Sequence, residues 1–495
     1  MKIYESLEKN RKFLTEKLNS DDVCFLDVLA GDKNALLIFV KDITDKESLG
    51  DLILRPLSRI EKLESELELK KYFINPERER LTDLSKLPDK IVSGTSVLLI
   101  DGFSFAYAFP LVKYEKRAIT EPPTSTVIKG PREGFTECLP VNISLLRRKL
   151  KTPDLRFETL EIGEYSKTTV CLCYVKNIAD KNLVKKLKAK LKTISIDAVF
   201  DSSYVSKFLG EHKTSIFKQV GNTEKPDVLS AKILEGRVAI LVDGSPIALT
   251  VPYLLIEDFQ SPNDYYASPY TATLARFLRV FAVALSTLLP AFYVSAQLFH
   301  LQVIPLAFLL TIVNSIKGIP FSPSYEMFFS LLIFEILNEA SVRMPKYVGM
   351  VVSIVGGLVL GETAVNAGII SAPTLMIIAL SGICLFTVPE LEKTFGLLRL
   401  VFLIIGGSMG AYGILMTMAL VLVYVVSFEN YSTPLMAPFS PLIKKDFKDS
   451  IYKGFMSEMT LRPLSIRNAN HVRIAPDSTN NEVNEKTSDK GEKNA

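Results

Sequence analysis

Histidine and cysteine are scarce in this chain, and neither residue occurs in a spacing typical of a catalytic or metal site. The three histidines, His212, His300 and His471, are far apart, and the five cysteines include no CxxC pair. Cys171 and Cys173 alternate within an apolar segment, a pattern that places both thiols on one face of a strand. We therefore expect buried thiols there, and no metal site or cofactor.

The sequence also lacks the signatures of common enzymes. It contains no P-loop, no GxSxG nucleophile motif and no HExxH zinc motif, so we expect no transferase or hydrolase activity and no enzyme function. A net charge of +4 is small for 495 residues and gives no reason to expect nucleic-acid binding. The N-terminal sequence MKIYESLEKNRKFLTEKL lacks the apolar core and cleavage site of a secretory signal, so we expect the front half to be cytoplasmic.

Charged side chains become rare in the second half of the chain. Residues 1–268 are rich in charge, whereas residues 269–430 are charge-poor and hydrophobic. The run from Val280 to Phe299 is free of charge for about 20 residues, enough to cross a bilayer core of about 30 Å. This change predicts a soluble region followed by an α-helical, multi-span membrane domain.

A weak internal repeat lies within the soluble region. VKDITDK, which begins at Val40, resembles VKNIADK, which begins at Val175, and further on LIDG and LVDG occur in the same order. Matching blocks at nearly the same offset predict two related α/β subdomains. Asp101 and Asp243 each precede a glycine in these blocks, so we expect them to be turn residues rather than catalytic carboxylates.

These patterns divide the chain into five predicted regions. They are a polar N-terminal helix at 1–20, cytoplasmic α/β subdomains at 21–135 and 136–268, a helical transmembrane domain at 269–430, and a cytoplasmic, partly disordered tail at 431–495. Basic residues around the hydrophobic segments favour the cytoplasmic side and require an even number of crossings. We therefore expect four spans, with Leu301 to Ile316 re-entrant. Glycines at 406, 407, 410 and 413 predict a break in the last segment.

The run VGMVVSIVGGLVLGETAVNAG, residues 348–368, places polar side chains in apolar, glycine-rich sequence, where they are costly unless they have a function. On a helix, one face would line a pore or cavity and the other would pack against a neighbouring helix. The pore or gate candidates are Val355, Val359, Glu362 and Asn366. The helix-packing candidates are Gly357, Gly361, Ala364 and Gly368. Alternatively, Glu362 is structural, bonded to backbone or paired with Arg343 or Lys346.

Two further charged patterns each allow two interpretations. Glu335, Glu339 and Arg343 follow at a spacing of four, which predicts either an intrahelical ladder of ion pairs or a coupling helix at the membrane surface. The cluster from Arg147 to Lys149 near the end of a predicted helix is either a cap or a contact for a partner or anionic lipid.

Four long motifs follow one another between Ile128 and Pro373. They are IKGPREGFTECLPVNISLLRRKLKTPDLRFE from Ile128, ILVDGSPIALTVPYLLIEDFQSPNDYY from Ile240, EILNEASVRMP from Glu335 and SIVGGLVLGETAVNAGIISAP from Ser353. In type and order they resemble the A subunit of the GerA-type spore germinant receptors, and this resemblance covers about residues 30–465. The chain departs from that pattern at Asn338, where the family has a basic residue, and at Glu362, where the family often has glutamine.

The resemblance implies an A subunit in the spore inner membrane, with its N-terminal region in the spore core. Its implied partners are a transporter-like B subunit, a lipoprotein C subunit, the lipid bilayer and further copies of itself in a homo-oligomeric ring. Such a ring would open as a nutrient-gated cation channel and trigger germination. A related membrane component of the dipicolinate release machinery is the alternative. A secondary transporter is not favoured, because we find no inverted repeats.

Overall fold

The structure is a computed structural model that describes residues 1–63, 65–73, 75–113, 127, 129–343 and 361–473. The chain forms two compact units, which we call the α/β unit and the helical unit. The α/β unit contains the described residues of Met1–Tyr253, of Asn430–Thr433 and from Phe455 to Arg473. The helical unit contains Leu254–Glu429 and Pro434–Gly454.

The first subdomain of the α/β unit is built on a five-stranded antiparallel sheet of order β1-β2-β4-β5-β3. Its strands are β1 Val23–Ala30, β2 Lys33–Val40, β3 Glu79–Leu81, β4 Ser96–Ile100 and β5 Ala106–Phe109. Its helices are α1 Leu7–Lys17, α2 Lys46–Leu49, α3 Arg55–Ser58, α4 Glu66–Tyr72 and α5 Leu87–Val92. Successive side chains of β2 enter two separate hydrophobic cores, Leu36 in one and Leu37 in the other, so both faces of the sheet are covered.

The second subdomain repeats this architecture with the sheet order β6-β7-β9-β10-β8. Its strands are β6 Leu155–Ile162, β7 Thr168–Val175, β8 Gly221–Thr223, β9 Val238–Val242 and β10 Ala248–Val251. Its helices are α6 Leu139–Lys149, α7 Lys181–Lys192, α8 Ser202–Leu209 and α9 Pro226–Leu234. The two sheets place their strands in the same order, so the predicted pair of related α/β subdomains is confirmed. Cys171 and Cys173 in β7 are fully buried, as expected.

The repeat extends to the turn aspartates. Asp101 accepts a hydrogen bond from the backbone N–H of Leu7 at 2.9 Å, and Asp243 accepts one from the backbone N–H of Leu139 at 3.0 Å. Each aspartate therefore satisfies a free N–H at the start of a helix while its neighbouring glycine supplies the positive φ of the turn. The turn role predicted for both residues is confirmed, and α1 occupies in the first subdomain the place of α6 in the second.

Arg147 joins the two subdomains from a buried position. Its Nε and Nη2 donate to the two carboxylate oxygens of Asp22 at 2.8 and 3.0 Å, and its guanidinium also donates to the carbonyl groups of Thr152 and Leu155. With 1% of its side chain exposed, Arg147 does not contact lipid. The neighbouring Arg148 pairs with Glu133.

Two segments beyond residue 429 return to the α/β unit. Tyr431 lies in the hydrophobic core of the second subdomain, and its hydroxyl donates to the carbonyl oxygen of Leu209 at 2.8 Å. Further on, the backbone N–H of Ala469 donates to the carbonyl oxygen of Ile178 at 2.8 Å. The chain therefore packs on this subdomain up to at least Ala469.

The described part of the helical unit contains seven α-helices and several short 3-10 turns. The helices are α10 Asn263–Tyr266, α11 Pro269–Phe299, α12 Leu306–Ile316, α13 Pro323–Arg343, α14 Gly361–Asn366, α15 Ala372–Leu385 and α16 Glu392–Ser427. The short elements of the whole described chain are the 3-10 turns Leu84–Lys86, Leu255–Phe259, Leu301–Val303, Pro389–Leu391, Lys444–Lys448 and Met456–Glu458, a π-helical turn Gly50–Leu54, and strands β11 Glu429–Asn430 and β12 Thr433–Pro434.

Two helices of the described part are long and apolar enough to cross a membrane, Pro269–Phe299 and Pro389–Ser427, the latter including the 3-10 turn before α16. The 11 residues of α12 rise about 17 Å, short of the roughly 30 Å of a bilayer core. Within α16, Gly410 has φ 65° and ψ −154°, so the break predicted for this glycine-rich segment is confirmed there. Gly406 lets α16 approach α11, since a Cβ at Gly406 would lie 3.0 Å from the carbonyl oxygen of Ala291.

Candidate functional site

Only part of the predicted pore segment lies within the described residues. Val355, Gly357 and Val359 fall outside them, so their predicted roles remain predictions. Glu362 and Asn366 lie one turn apart on α14, and both are exposed. Within the described chain Glu362 forms no ion pair, and the Arg343 considered as its partner pairs with Glu339 instead.

The predicted packing residues differ in their surroundings. Gly361 is buried, and a Cβ there would lie 3.2 Å from a methyl group of Leu375 on α15. Ala364 is half-buried. Gly368 follows the end of α14 with φ 67°, and no atom of the described chain lies within 4 Å of an added Cβ. A helix that ends with a residue in the left-handed region favours glycine, so conformation accounts for Gly368 without a helix contact.

Glu335 links α13 to α16 instead of joining an intrahelical ladder. Its carboxylate accepts a short hydrogen bond from Nη2 of Arg399, which is 1% exposed in the middle of apolar sequence. Nη1 of Arg399 donates to the hydroxyl of Ser381 on α15 at 2.8 Å, and that hydroxyl donates to the backbone carbonyl of Ser286 on α11 at 2.7 Å. One buried arginine thus connects four helices through a single polar chain.

The remaining part of the predicted ladder exists at the end of α13. Arg343 donates to Glu339 at 2.6 Å, with side chains 77% and 65% exposed. On the same helix, the side-chain amide of Asn338 donates to Glu392 at 2.6 Å. The ladder interpretation is therefore correct for Glu339 and Arg343 and wrong for Glu335, whose partner lies on another helix.

A second charged group, which we call the charged cluster, lies at the start of α11. Its members are Asp264, Arg276, Arg279, Asp449 and Lys453. Arg276 is buried and donates to Asp264 at 3.0 Å and to Asp449 at 3.1 Å. Burial alone would raise the pKa of Asp264, but the hydrogen bonds from Arg279 and the backbone of Ser261 outweigh it, so this pKa lies below its usual value. The carboxylate therefore remains ionised at neutral pH and holds the two arginines together.

Sequence reasoning missed several of these residues. Arg399 and Glu326 are single charges in apolar segments, which is itself a signal, because charges within such helices are rare and usually functional. Glu326 is 2% exposed and accepts hydrogen bonds from the backbone N–H and the hydroxyl of Ser371, both at 2.7 Å. Its partner lies 45 residues away, which no local spacing predicts.

This arrangement suits electrostatic coupling between helices. Within the described residues, no three histidine, cysteine, aspartate or glutamate side chains are grouped so that they could hold a metal ion. What the helical unit offers is buried ion pairs that join helices and an exposed carboxylate on α14. Removing one partner of such a buried pair leaves the other charge buried and uncompensated, which is strongly destabilising.

Comparisons with known proteins match almost the whole chain. The model of the Bacillus/Clostridium GerA spore germination protein family matches residues 11–465. Spore germination protein KA of Bacillus subtilis (strain 168) is 32% identical over 487 residues, which are 96% of this chain and 89% of the relative. Spore germination protein GerLA of Bacillus cereus is 33% identical over 434 residues, 86% of this chain and 88% of the relative.

One solved structure is similar to the front of the chain. It is the crystal structure of the N-terminal domain of the A subunit of the Bacillus megaterium spore germinant receptor GerK3, with 27% identity and a TM-score of 0.41, covering 52% of this chain and 98% of that chain. The family match over residues 11–465 and relatives above 30% identity along most of the chain agree with one another. The chain belongs to the GerA family of spore germination proteins.

Proposed function

We propose that this chain is the A subunit of a spore germinant receptor. With a transporter-like B subunit, a lipoprotein C subunit and further copies of itself, it forms a nutrient-gated cation channel in the spore inner membrane. Several helices of the helical unit cross that membrane, and the α/β unit faces the spore core. The family match along residues 11–465 and relatives named spore germination proteins support this proposal.

The observation that carries the channel proposal is the exposed carboxylate of Glu362. It lies on a short helix whose buried Gly361 packs against Leu375, within a unit rich in apolar helices. A charged side chain at membrane depth is costly unless it faces water or a partner. A ring of such carboxylates next to the hydrophobic side chains of Val355 and Val359 would select cations and gate their flow.

The polar chain through Arg399 offers a route for gating. A nutrient bound to the B subunit shifts the channel only if it stabilises one conformation more than the other. Glu335 on α13 pairs with Arg399 on α16, so a displacement of α13 would act directly on a helix long enough to span the membrane. In this proposal α13, with Glu335, Glu339 and Arg343, is the coupling helix.

Ion release from spores tests the proposal. Spores carrying Val359→Ala or Glu362→Gln should show altered potassium release after a known nutrient, or leakage before it, at unchanged protein level. Thr363→Ala is the matched control, because Thr363 is exposed on the same helix next to Glu362. Normal potassium release from both variants would place the conduction path elsewhere. Normal potassium release with impaired dipicolinate release would favour the alternative role.

A further inference from the structure

Buried polar side chains from three helices meet within an apolar part of the helical unit. Tyr293 and Gln297 lie one turn apart on α11, and Glu326 and Ser330 lie one turn apart on α13, so each pair shares a helix face. Ser371 caps the N-terminus of α15. The surrounding hydrophobic cluster, which includes Tyr293 itself, contains residues of all three helices, such as Val294 on α11, Met327 on α13 and Ile377 on α15.

The carboxylate of Glu326 is satisfied on one side only. Its Oε1 accepts both hydrogen bonds from Ser371, whereas Oε2 is buried and has no hydrogen-bond partner among the described residues. No basic side chain of the described chain pairs with it. A buried, ionised carboxylate without a cation is costly, and it is usually paired or bound to a metal ion.

Several other buried polar atoms of these helices also lack a hydrogen-bond partner among the described residues. The Tyr293 hydroxyl, both polar atoms of the Gln297 amide and the Ser330 hydroxyl are buried without a hydrogen-bond partner in the described chain. The side chains of Thr374, Gln297 and Ser371 lie within reach of the Tyr293 hydroxyl, although none of them meets the full geometry of a hydrogen bond, and the charge of Glu326 also acts on it. Such groups are few in folded proteins, so their convergence at one place indicates a ligand.

We propose that these side chains form a binding site for a monovalent metal cation, sodium or potassium. The available donors are a carboxylate, a phenol, an amide oxygen and a hydroxyl, which are hard oxygen ligands suited to such ions. The N-terminus of α15 already contributes about half a positive charge beside Glu326. With the single carboxylate of Glu326, a divalent ion would leave an excess of roughly one and a half positive charges at the site, whereas a monovalent ion would leave only roughly half a charge.

This site includes none of the residues predicted to line the pore, Val355, Val359 and Glu362. It ties α11, α13 and α15 together around one ion, and it does not depend on whether the chain conducts ions. Its occupancy would hold the coupling helix α13 in place. Failure of the channel proposal and failure of the cation site can therefore be told apart, because the first is read in spores and the second on the purified chain.

Direct ion binding tests the proposal. The purified full-length protein in detergent is equilibrated with radioactive sodium or, as a potassium analogue, radioactive rubidium, with N-methylglucamine holding the ionic strength constant. We expect saturable binding of at least one of the two ions. Absence of saturable binding for both would overturn the site. Saturable binding of calcium or magnesium alone, or a dependence of stability on pH alone, would overturn it in favour of a divalent ion or a proton.

Two variants locate the bound ion. Glu326→Gln keeps the shape but removes the charge, and should abolish the saturable binding. Glu339→Gln removes an exposed carboxylate of the same helix and should bind like the wild type. Tyr293→Phe, which removes one oxygen from an otherwise unchanged ring, should weaken binding about tenfold and remains informative if Glu326→Gln fails to fold. Wild-type affinity in folded Tyr293→Phe and Glu326→Gln would contradict the proposal.

Discussion

Arg147 in the α/β unit and Glu326 in the helical unit are both almost completely buried charges, yet their surroundings differ. The guanidinium of Arg147 donates to both oxygens of Asp22 and to the carbonyl groups of Thr152 and Leu155. Glu326 has one oxygen bound by Ser371 and the other without a partner in the described chain. The first environment is complete within the protein, and the second is not.

This difference separates a structural charge from a candidate binding group. Burying a charge is tolerated when hydrogen bonds and an opposite charge replace the lost water, and Arg147 has both. A half-satisfied buried charge lowers stability unless something outside the chain completes it. Arg399 lies between these cases, because its Nη atoms are bonded to Glu335 and Ser381 whereas its Nε has no partner in the described part.

The largest effect should follow from removing the complete pair in the α/β unit. Arg147→Leu leaves Asp22 buried and unpaired, and breaking a buried pair in this way costs about 3–5 kcal/mol. Thiol labelling of Cys171 and Cys173 measures the loss, because both are fully buried and react only when the second subdomain opens. The other three cysteines are first replaced by serine.

Arg148→Leu is the matched control for this measurement. Arg148 pairs with Glu133 at a partly exposed position, and exposed pairs contribute about 0–1 kcal/mol. Equal labelling rates for the Arg147 and Arg148 variants would show that burial does not distinguish the two arginines, and would remove the basis of the comparison.

A second experiment measures the coupling energy between Arg399 and Glu335. In a double-mutant cycle, Arg399→Met and Glu335→Gln should each lower the stability of the helical unit, and the double variant should lose less than their sum. For residues in direct contact the coupling is about 0.5–3 kcal/mol. The thermal stability of the purified full chain in detergent provides the measurement.

The pair Glu339 and Arg343 provides the control cycle on the same helix. Both side chains are largely exposed and four residues apart, so their coupling should be only about 0.3–0.5 kcal/mol. If the two cycles gave the same coupling, the buried chain through Arg399 would have no special part in holding the helices together.

Much of the architecture followed from local patterns in the sequence. The repeated Asp-Gly turns gave the two subdomains, because a turn and its flanking strands are determined by neighbouring residues. The charge-poor half predicted the apolar helices, and the glycines near Gly410 predicted the break in α16. The equivalence of α1 and α6 was not visible, since it depends on Asp101 and Asp243 reaching helices nearly a hundred residues away or more.

The candidate sites were predictable only in part for the same reason. Spacing of four correctly paired Glu339 with Arg343, but it could not reveal that Glu335 prefers Arg399, 64 residues further along the chain. The sequence predicted no role for Glu326, because its hydrogen-bond partner Ser371 caps a different helix. Local periodicity identifies helix faces, whereas the partner of a buried charge is set by tertiary packing.

The smallest expected effect concerns Asp42, which lies near the buried pair of Arg147 and Asp22. Burial and the neighbouring charge of Asp22 raise the pKa of Asp42 from 3.8 to about 6, against the opposing effect of Lys46 and Lys41. The folded state therefore holds this proton at a pH where the unfolded chain has lost it. Stability should fall as the pH rises from about 4 to about 6, and then stay level.

Asp42→Asn removes this penalty and should be more stable than the wild type at pH 7 but equal to it near pH 4. Because Asp42 is only half-buried, solvent screening reduces the expected gain to about 1 kcal/mol. Labelling Cys171 and Cys173 with a dithiodipyridine reagent, which reacts at acid pH, measures the difference. Asp27→Asn, at an exposed carboxylate paired with Arg11, should give no such pH-dependent gain. If Asp42→Asn raised the free energy of unfolding by the same amount at pH 4 and at pH 7, the gain would not come from removing the charge of Asp42. Repulsion between Asp42 and Asp22 would then be absent, and the pair of Arg147 and Asp22 would be fully compensated.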